Sequence, residues 1–247
     1  VGFIHRMWHS RWILHSLPWS IYFNFHYLPL RQAIRLPILL YKPRLLRCGG
    51  RVRIESEDIC TGMIILGKDT VSIYSNSGVA WECDGEVVFE GKCYIGNASA
   101  ISISSTGCVY FGKRFYASAS FKLVSYCGVR FGRDVHIGWD CIVMDTDFHK
   151  MVFCKDGKSN KGYGKVKIGR GNWLGMKCCV LKNTRTPDYC TVSASSILNS
   201  SYLDLPSHSV IGQDRSVVLK KEGCYRDFQN DVCLLYTSPS PRDKRQS

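Results

Sequence analysis

Acidic residues are missing from the first 53 positions, and the first carboxylate in the chain is Glu55. The nine bases of that stretch (Arg6, Arg11, Arg31, Arg35, Lys42, Arg44, Arg47, Arg51 and Arg53) therefore have no acid of their own nearby in sequence. Also missing is a long apolar run. The best stretch, Ile13 to Leu30, is broken by His15, Pro18, Asn24, His26 and Pro29, too polar and kinked for a spanning helix. The start lacks the charged, apolar and small-residue order of a secretory signal, so a cytoplasmic location is expected. The 13 cysteines show neither C-x-x-C spacing nor Cys/His clusters, and the adjacent Cys178 and Cys179 make a poor metal pair. No metal is expected, and buried, reduced thiols are.

What remains is a chain of 247 residues, 45% hydrophobic, long enough for one substantial core with appendages. Its net charge is +13. In the N-terminal stretch the bases alternate with Trp8, Trp12, Trp19, Tyr22, Phe23, Phe25 and Tyr27. That mixture suits peripheral contact with an anionic lipid surface, and equally a helical cap whose aromatic face packs on the main domain. No nucleic-acid-binding motif accompanies the charge, so nucleic acid is not an expected partner. The final residues 233–247 contain CLLYTSPSPRD, which resembles a translated sequencing adapter, and are set aside as artefact.

From about residue 87 the chain is periodic at six. The leading apolar residues run Phe89, Ile95, Ile101; Phe111, Ala117, Leu123; Phe131, Ile137, Val143; and Ile168, Leu174, Val180, Thr186, Val192, Leu198. Glycine follows several of them, at Gly96, Gly112, Gly132, Gly138, Gly169 and Gly175, as expected for a tight turn or a positive φ. The fifth position is small: Cys93, Ser99, Cys127, Val135, Cys141, Cys178, Thr184, Cys190 and Ser196. Residues at i and i+6 fall on opposite sides of a helix, so the period excludes amphipathic helices and predicts an all-β solenoid. Three hexads would close one coil of about eighteen residues, whose core is supplied by stacking on its neighbours. The period breaks between 144 and 167, where a glycine-rich loop, 145–166, offers a natural place for a site. The predicted divisions are a basic aromatic segment over 1–53, a parallel β-helix over 54–212, a C-terminal extension over 213–232 and the artefact over 233–247.

IGWDCIVMDTDFHKM (137–151), IGRGNWLG (168–175) and VSASSIL (192–198) resemble the hexapeptide-repeat acyltransferases, in particular the bacterial sugar and polysaccharide O-acetyltransferase branch. The segment YFNFHYLPLRQAIRLPI extends the likeness toward the N-terminus. The resemblance implies a left-handed parallel β-helix, a homotrimer with sites between subunits, acetyl-CoA as co-substrate and a sugar or polysaccharide-precursor acceptor. It makes His149 the general base, with Asp145, Asp147 or Trp139 binding acceptor or orienting the imidazole. It lays acyl-CoA beside Trp173 and Gly175 and past Ser193 and Ala194, with Lys220 near its phosphates.

The sequence departs from the family pattern at Gly212-Gln213-Asp214, where Gly-Asn-Pro is usual, at Met176, and at the YASAS segment 116–120. Degenerate donor motifs are what a non-catalytic trimeric scaffold or sugar-binding module would carry, and that is the competing function; the intact DTDFH segment favours the enzyme. A zinc carbonic anhydrase on the same fold would need three histidine ligands, but only His136 and His149 lie in the repeat, with His208 far downstream.

Overall fold

The computed structural model describes residues 16–69, 71–212 and 224–226. Short strands of two to five residues alternate with corners, and each strand pairs in parallel with the strand one coil away. Three parallel sheets result, with eight, seven and five strands, here called A, B and C in the order the chain visits them. The molecule is thus mostly β, a parallel β-helix of the expected class. A separate two-stranded antiparallel pair joins Met151–Phe153 to Cys224–Arg226.

The first coil already runs Ile38–Leu40 (sheet A), Arg44–Arg47 (sheet B) and Arg51–Ile54 (sheet C). The solenoid therefore begins well before the expected boundary at 53/54. Register partners Ile38, Ile64 and Cys93 lie 26 and then 29 residues apart, so long corners hide the six-residue period there. Along sheet A the later partners are Tyr94, Tyr116, His136, Trp173 and Thr191, at steps of 22, 20, 37 and 18 residues. The predicted eighteen-residue coil is realised only after the step of 37, which contains the loop.

The leading hexad residues form the core. Phe89, Phe111 and Phe131 are fully buried and stack coil upon coil, with centroids 5.2 and 5.5 Å apart and rings within 11° of parallel. Each such burial contributes about 2–3 kcal/mol, and the stacking adds somewhat more. Cys93, Cys141, Cys178 and Cys190 occupy the narrow interior as small apolar groups, and the described cysteines are all free. Burial pushes the Cys93 thiol well up, so it stays protonated. Cys127 differs: it is only half-buried.

The recurrent glycines serve a purpose other than positive φ. A Cβ on Gly112 would sit 2.4 Å from the backbone of Gly132, and one on Gly132 would sit 2.6 Å from Arg170 N, so they are glycines because successive corners touch. Positive φ falls instead two residues later, on Ala98, Ser120, Asp140, Lys177 and Ser195 at the A-to-B corner. That conformation aims each N–H along the solenoid. Ser120 N donates to Asn97 O at 2.8 Å, Lys177 N to Trp139 O at 2.7 Å and Ser195 N to Met176 O at 2.8 Å, which offsets the backbone strain.

The N-terminal end is closed by a helix over 16–27. Its Ser16, Ser20 and Asn24, spaced i, i+4, i+8, are all buried. They meet the open edge of the first strand: Asn24 Nδ2 donates to Ile38 O (2.7 Å), while Ile38 N donates to Asn24 Oδ1 (3.1 Å). Leu40 N donates to Ser20 Oγ (2.9 Å) and Lys42 N to Ser16 Oγ (3.1 Å). Side chains thus satisfy the backbone groups that a missing coil would have satisfied, which blunts the edge strand. Among the described residues no helix is long and apolar enough to cross a membrane.

Candidate active site

The 37-residue step is a hairpin-like excursion from the corner between sheets B and C. Asp145 anchors its base. The carboxylate is fully buried and accepts hydrogen bonds from Ser125 Oγ (2.9 Å), Tyr126 N (2.6 Å), Cys127 N (2.9 Å) and Gly128 N (2.6 Å), all from the preceding coil. Three consecutive N–H groups closing on one carboxylate form an anion nest, here filled by the protein itself. The expectation that Asp145 binds acceptor or orients the histidine is corrected accordingly, because its oxygens are turned inward and occupied. Burial, and then the Asp145 charge beside it, push the Cys127 thiol up to about 12.

Beyond Asp145 the chain closes on itself. Gly164 N donates to Asp145 O (2.8 Å), Asp147 N to Gly162 O (2.7 Å) and Phe148 N to Thr146 Oγ1 (3.0 Å). Asn160 ties the outer part, accepting from Met151 N and Gly162 N while its own N–H donates to Met151 O. Phe148 takes a positive φ of 62°, which reverses the chain just before His149. His149 follows, half-buried, at the shoulder of a hairpin whose tip is Asp156-Gly157. The Asp147 carboxylate forms an ion pair with Lys182, from the corresponding corner of the next coil. Asp147 is therefore engaged by a lysine that sequence reasoning missed, whose one signal is its position 37 residues after Asp145.

The residues assigned to the donor lie elsewhere on the triangle. Trp173 belongs to sheet A, in register with His136 and Thr191, and is 57% exposed. Gly175 and Ala194 stack at the corner between sheets A and B, where a Cβ on Gly175 would lie 2.7 Å from Ala194 N. Ser193 Oγ pairs with Ser196 Oγ at 3.0 Å, and Ser193 N donates to Ile211 O. Trp139 sits at that same corner one coil earlier, half-buried. Lys220 lies outside the described residues. Within one chain, then, the His149 loop rises from the B-to-C corner and the donor residues line sheet A and the A-to-B corner.

Comparison with known proteins is sparse. No family model and no curated protein matches the chain. Among solved structures, the chain is similar to that titled "Crystal Structure of the polySia specific acetyltransferase NeuO". The identity is 14% and the TM-score 0.45, over 76% of this chain and 91% of the other.

A further contact at the A-to-B corner was not foreseen. Tyr74, from the long corner before Val79–Cys83, donates its hydroxyl to Asp140 Oδ2 at 2.6 Å, beside Trp139. The Tyr74 hydrogen bond holds the Asp140 carboxyl below the usual carboxylate range. Burial first, and then Asp140, push the Tyr74 phenol up to about 12. Among the described residues no group of three or more His, Cys, Asp or Glu side chains could hold a metal ion. His136 instead joins a column of rings, with centroids 5.5 Å from Tyr116, which itself stacks on Tyr94 at 5.1 Å.

Proposed function

We propose that the chain is an acyl-CoA-dependent O-acetyltransferase acting on a sugar hydroxyl in surface polysaccharide biosynthesis, with His149 as general base. The observation that carries this reading is the DTDFH segment itself. It occupies the longest interruption of the later coils and is pinned by the buried Asp145 nest, so His149 is presented on a fixed base rather than on a free loop.

The reaction needs little more than positioning and one base. A neutral imidazole takes the proton from the acceptor hydroxyl as its oxygen attacks the thioester carbonyl carbon. The new C–O bond forms, and the carbonyl oxygen carries the charge of the tetrahedral intermediate, stabilised by a backbone N–H donor. Collapse breaks the C–S bond, and the thiolate of CoA leaves with the proton held by the imidazolium. Trp173, Gly175, Ser193 and Ala194 would lay the pantetheine arm along the solenoid, small residues permitting close approach. Trp139 and Asp147 are assigned to the acceptor side.

Because the histidine and the donor residues occupy different corners of one chain, this reading also calls for neighbouring copies. A homotrimer would bring the loop of one copy to the A-to-B corner of the next. The outer face of sheet B, between those corners, supports it. Ile142, Cys179 and Ile197 point outward in register, and Ile197 is 50% exposed.

The test is release of free thiol from acetyl-CoA with a panel of sugars, comparing wild type with His149→Ala. Acceptor-dependent release should fall at least about a hundredfold on losing the base. Equal release by both proteins removes His149 from the mechanism, and failure of the wild type to bind CoA removes the enzyme in favour of a scaffold or sugar-binding module.

A further inference from the structure

The helix over 16–27 is docked with its polar stripe inward. Ser16, Ser20 and Asn24 face the first coil, beside Phe23 and Tyr27, which pack edge-on against Trp81 and each other, and His26, whose Nε2 hydrogen-bonds Cys48 O. What turns outward is large and apolar: Trp19 is 46% exposed, Tyr22 48% and Phe25 49%, and Leu30 and Ile34 just beyond are 67% and 63% exposed. A helix that only capped the solenoid would bury these rings and leave polar groups in water. This one does the reverse, so its outer face is shaped for a partner.

The charge of this end of the solenoid selects the partner. Residues 1–53 contain nine bases and no acid. Of those described, Arg47 and Arg53 are paired with acids of later coils, whereas Arg31, Arg44 and Arg51 have no acidic partner among the described residues. Tryptophan, tyrosine and phenylalanine flanked by uncompensated arginines match a lipid headgroup layer that is negatively charged: the rings settle at the acyl boundary and the guanidinium groups meet phosphates. We propose that the outward face of the 16–27 helix, with Leu30 and Ile34, docks the N-terminal end of the solenoid on an anionic membrane surface. This surface is separate from the His149 loop and the donor corner, and the proposal stands whether or not the chain transfers acyl groups.

The test is flotation of the full chain with phosphatidylcholine vesicles, with and without phosphatidylglycerol, at low and high salt. Wild type should float with the anionic vesicles, stay behind with the neutral ones, and be released as salt rises. The double variant Trp19→Ser/Phe25→Ser should bind at least about tenfold more weakly. Arg31→Gln/Arg44→Gln should bind more weakly and with a shallower salt dependence. These side chains are outside the core, so unchanged thermal unfolding of both variants verifies that the fold is intact. The proposal is overturned if wild type does not float with anionic vesicles, or if Trp19→Ser/Phe25→Ser floats as well as wild type. It is equally overturned if, without lipid, that substitution reduces the mass of the assembly in light scattering, for the face would then cover a second copy of this chain.

Discussion

Two aspartates two residues apart, Asp145 and Asp147, look equivalent in sequence and do different work in the structure. Asp145 is a buried anchor whose charge is met by three backbone N–H groups and a serine hydroxyl; Asp147 sits farther out and meets Lys182. Their separation predicts separable phenotypes. Asp145→Ala leaves four donors facing a void, and each buried donor without an acceptor costs about 1–3 kcal/mol, so a loss of at least about 4 kcal/mol is expected in urea unfolding. Any loss of transfer activity in that variant should follow the loss of structure. His149→Ala, by contrast, should remove activity while costing far less stability than Asp145→Ala. An Asp145→Ala protein within about 1 kcal/mol of wild type would mean that the nest does not hold the loop.

At the scale of elements, corners rather than strands carry the information about the site. The Tyr74 to Asp140 hydrogen bond ties a long early corner to the one bearing Trp139, across two coils. Since the folded-state pKa of Asp140 is depressed, its contribution to stability is present above the ordinary carboxylate pKa of about 3.9 and is lost as pH falls through the lower folded-state value. Tyr74→Phe removes that hydrogen bond and lets the Asp140 pKa rise. The difference in unfolding temperature between wild type and Tyr74→Phe should therefore be full at neutral pH and shrink as pH falls below about 4. A difference that stays constant from neutral to acid pH would show that the tie does not depend on the ionised carboxylate.

The hexad pattern made the coils from Phe89 onward legible because every sixth residue there is buried. It was silent over Ile38–Lys68, where corners lengthen and only two or three residues per strand face the core. The loop and His149 were visible as a break in period with a motif inside it. Lys182 and Tyr74 were not, since neither belongs to a motif; Lys182 reaches its partner only once the coil of 37 residues is known, and Tyr74 only once three successive coils of 20, 22 and 20 residues are.

At the scale of the whole molecule, the proposed reading requires that His149, at one corner of a triangular prism, meet a donor laid at another. Sheet B separates the two corners, and over its last three strands the outward column Ile142, Cys179 and Ile197, which follows the exposed Lys122, is apolar where a solvated face would carry charge. Heterologous packing that closes after three copies would cover that face and give three equivalent sites, each with its loop from one chain and its A-to-B corner from the next. Two measurements separate this from a site within one chain. Ile142→Lys/Ile197→Lys should reduce the mass in light scattering from three chains to one. Refolding His149→Ala together with Trp173→Ala in equal amounts should then restore activity that neither has alone. In randomly mixed trimers about one interface in four joins an intact histidine to an intact tryptophan, so about a quarter of the wild-type rate is expected. If the mixture is no more active than its parents, base and donor come from the same chain, and the loop must reach across sheet B by itself.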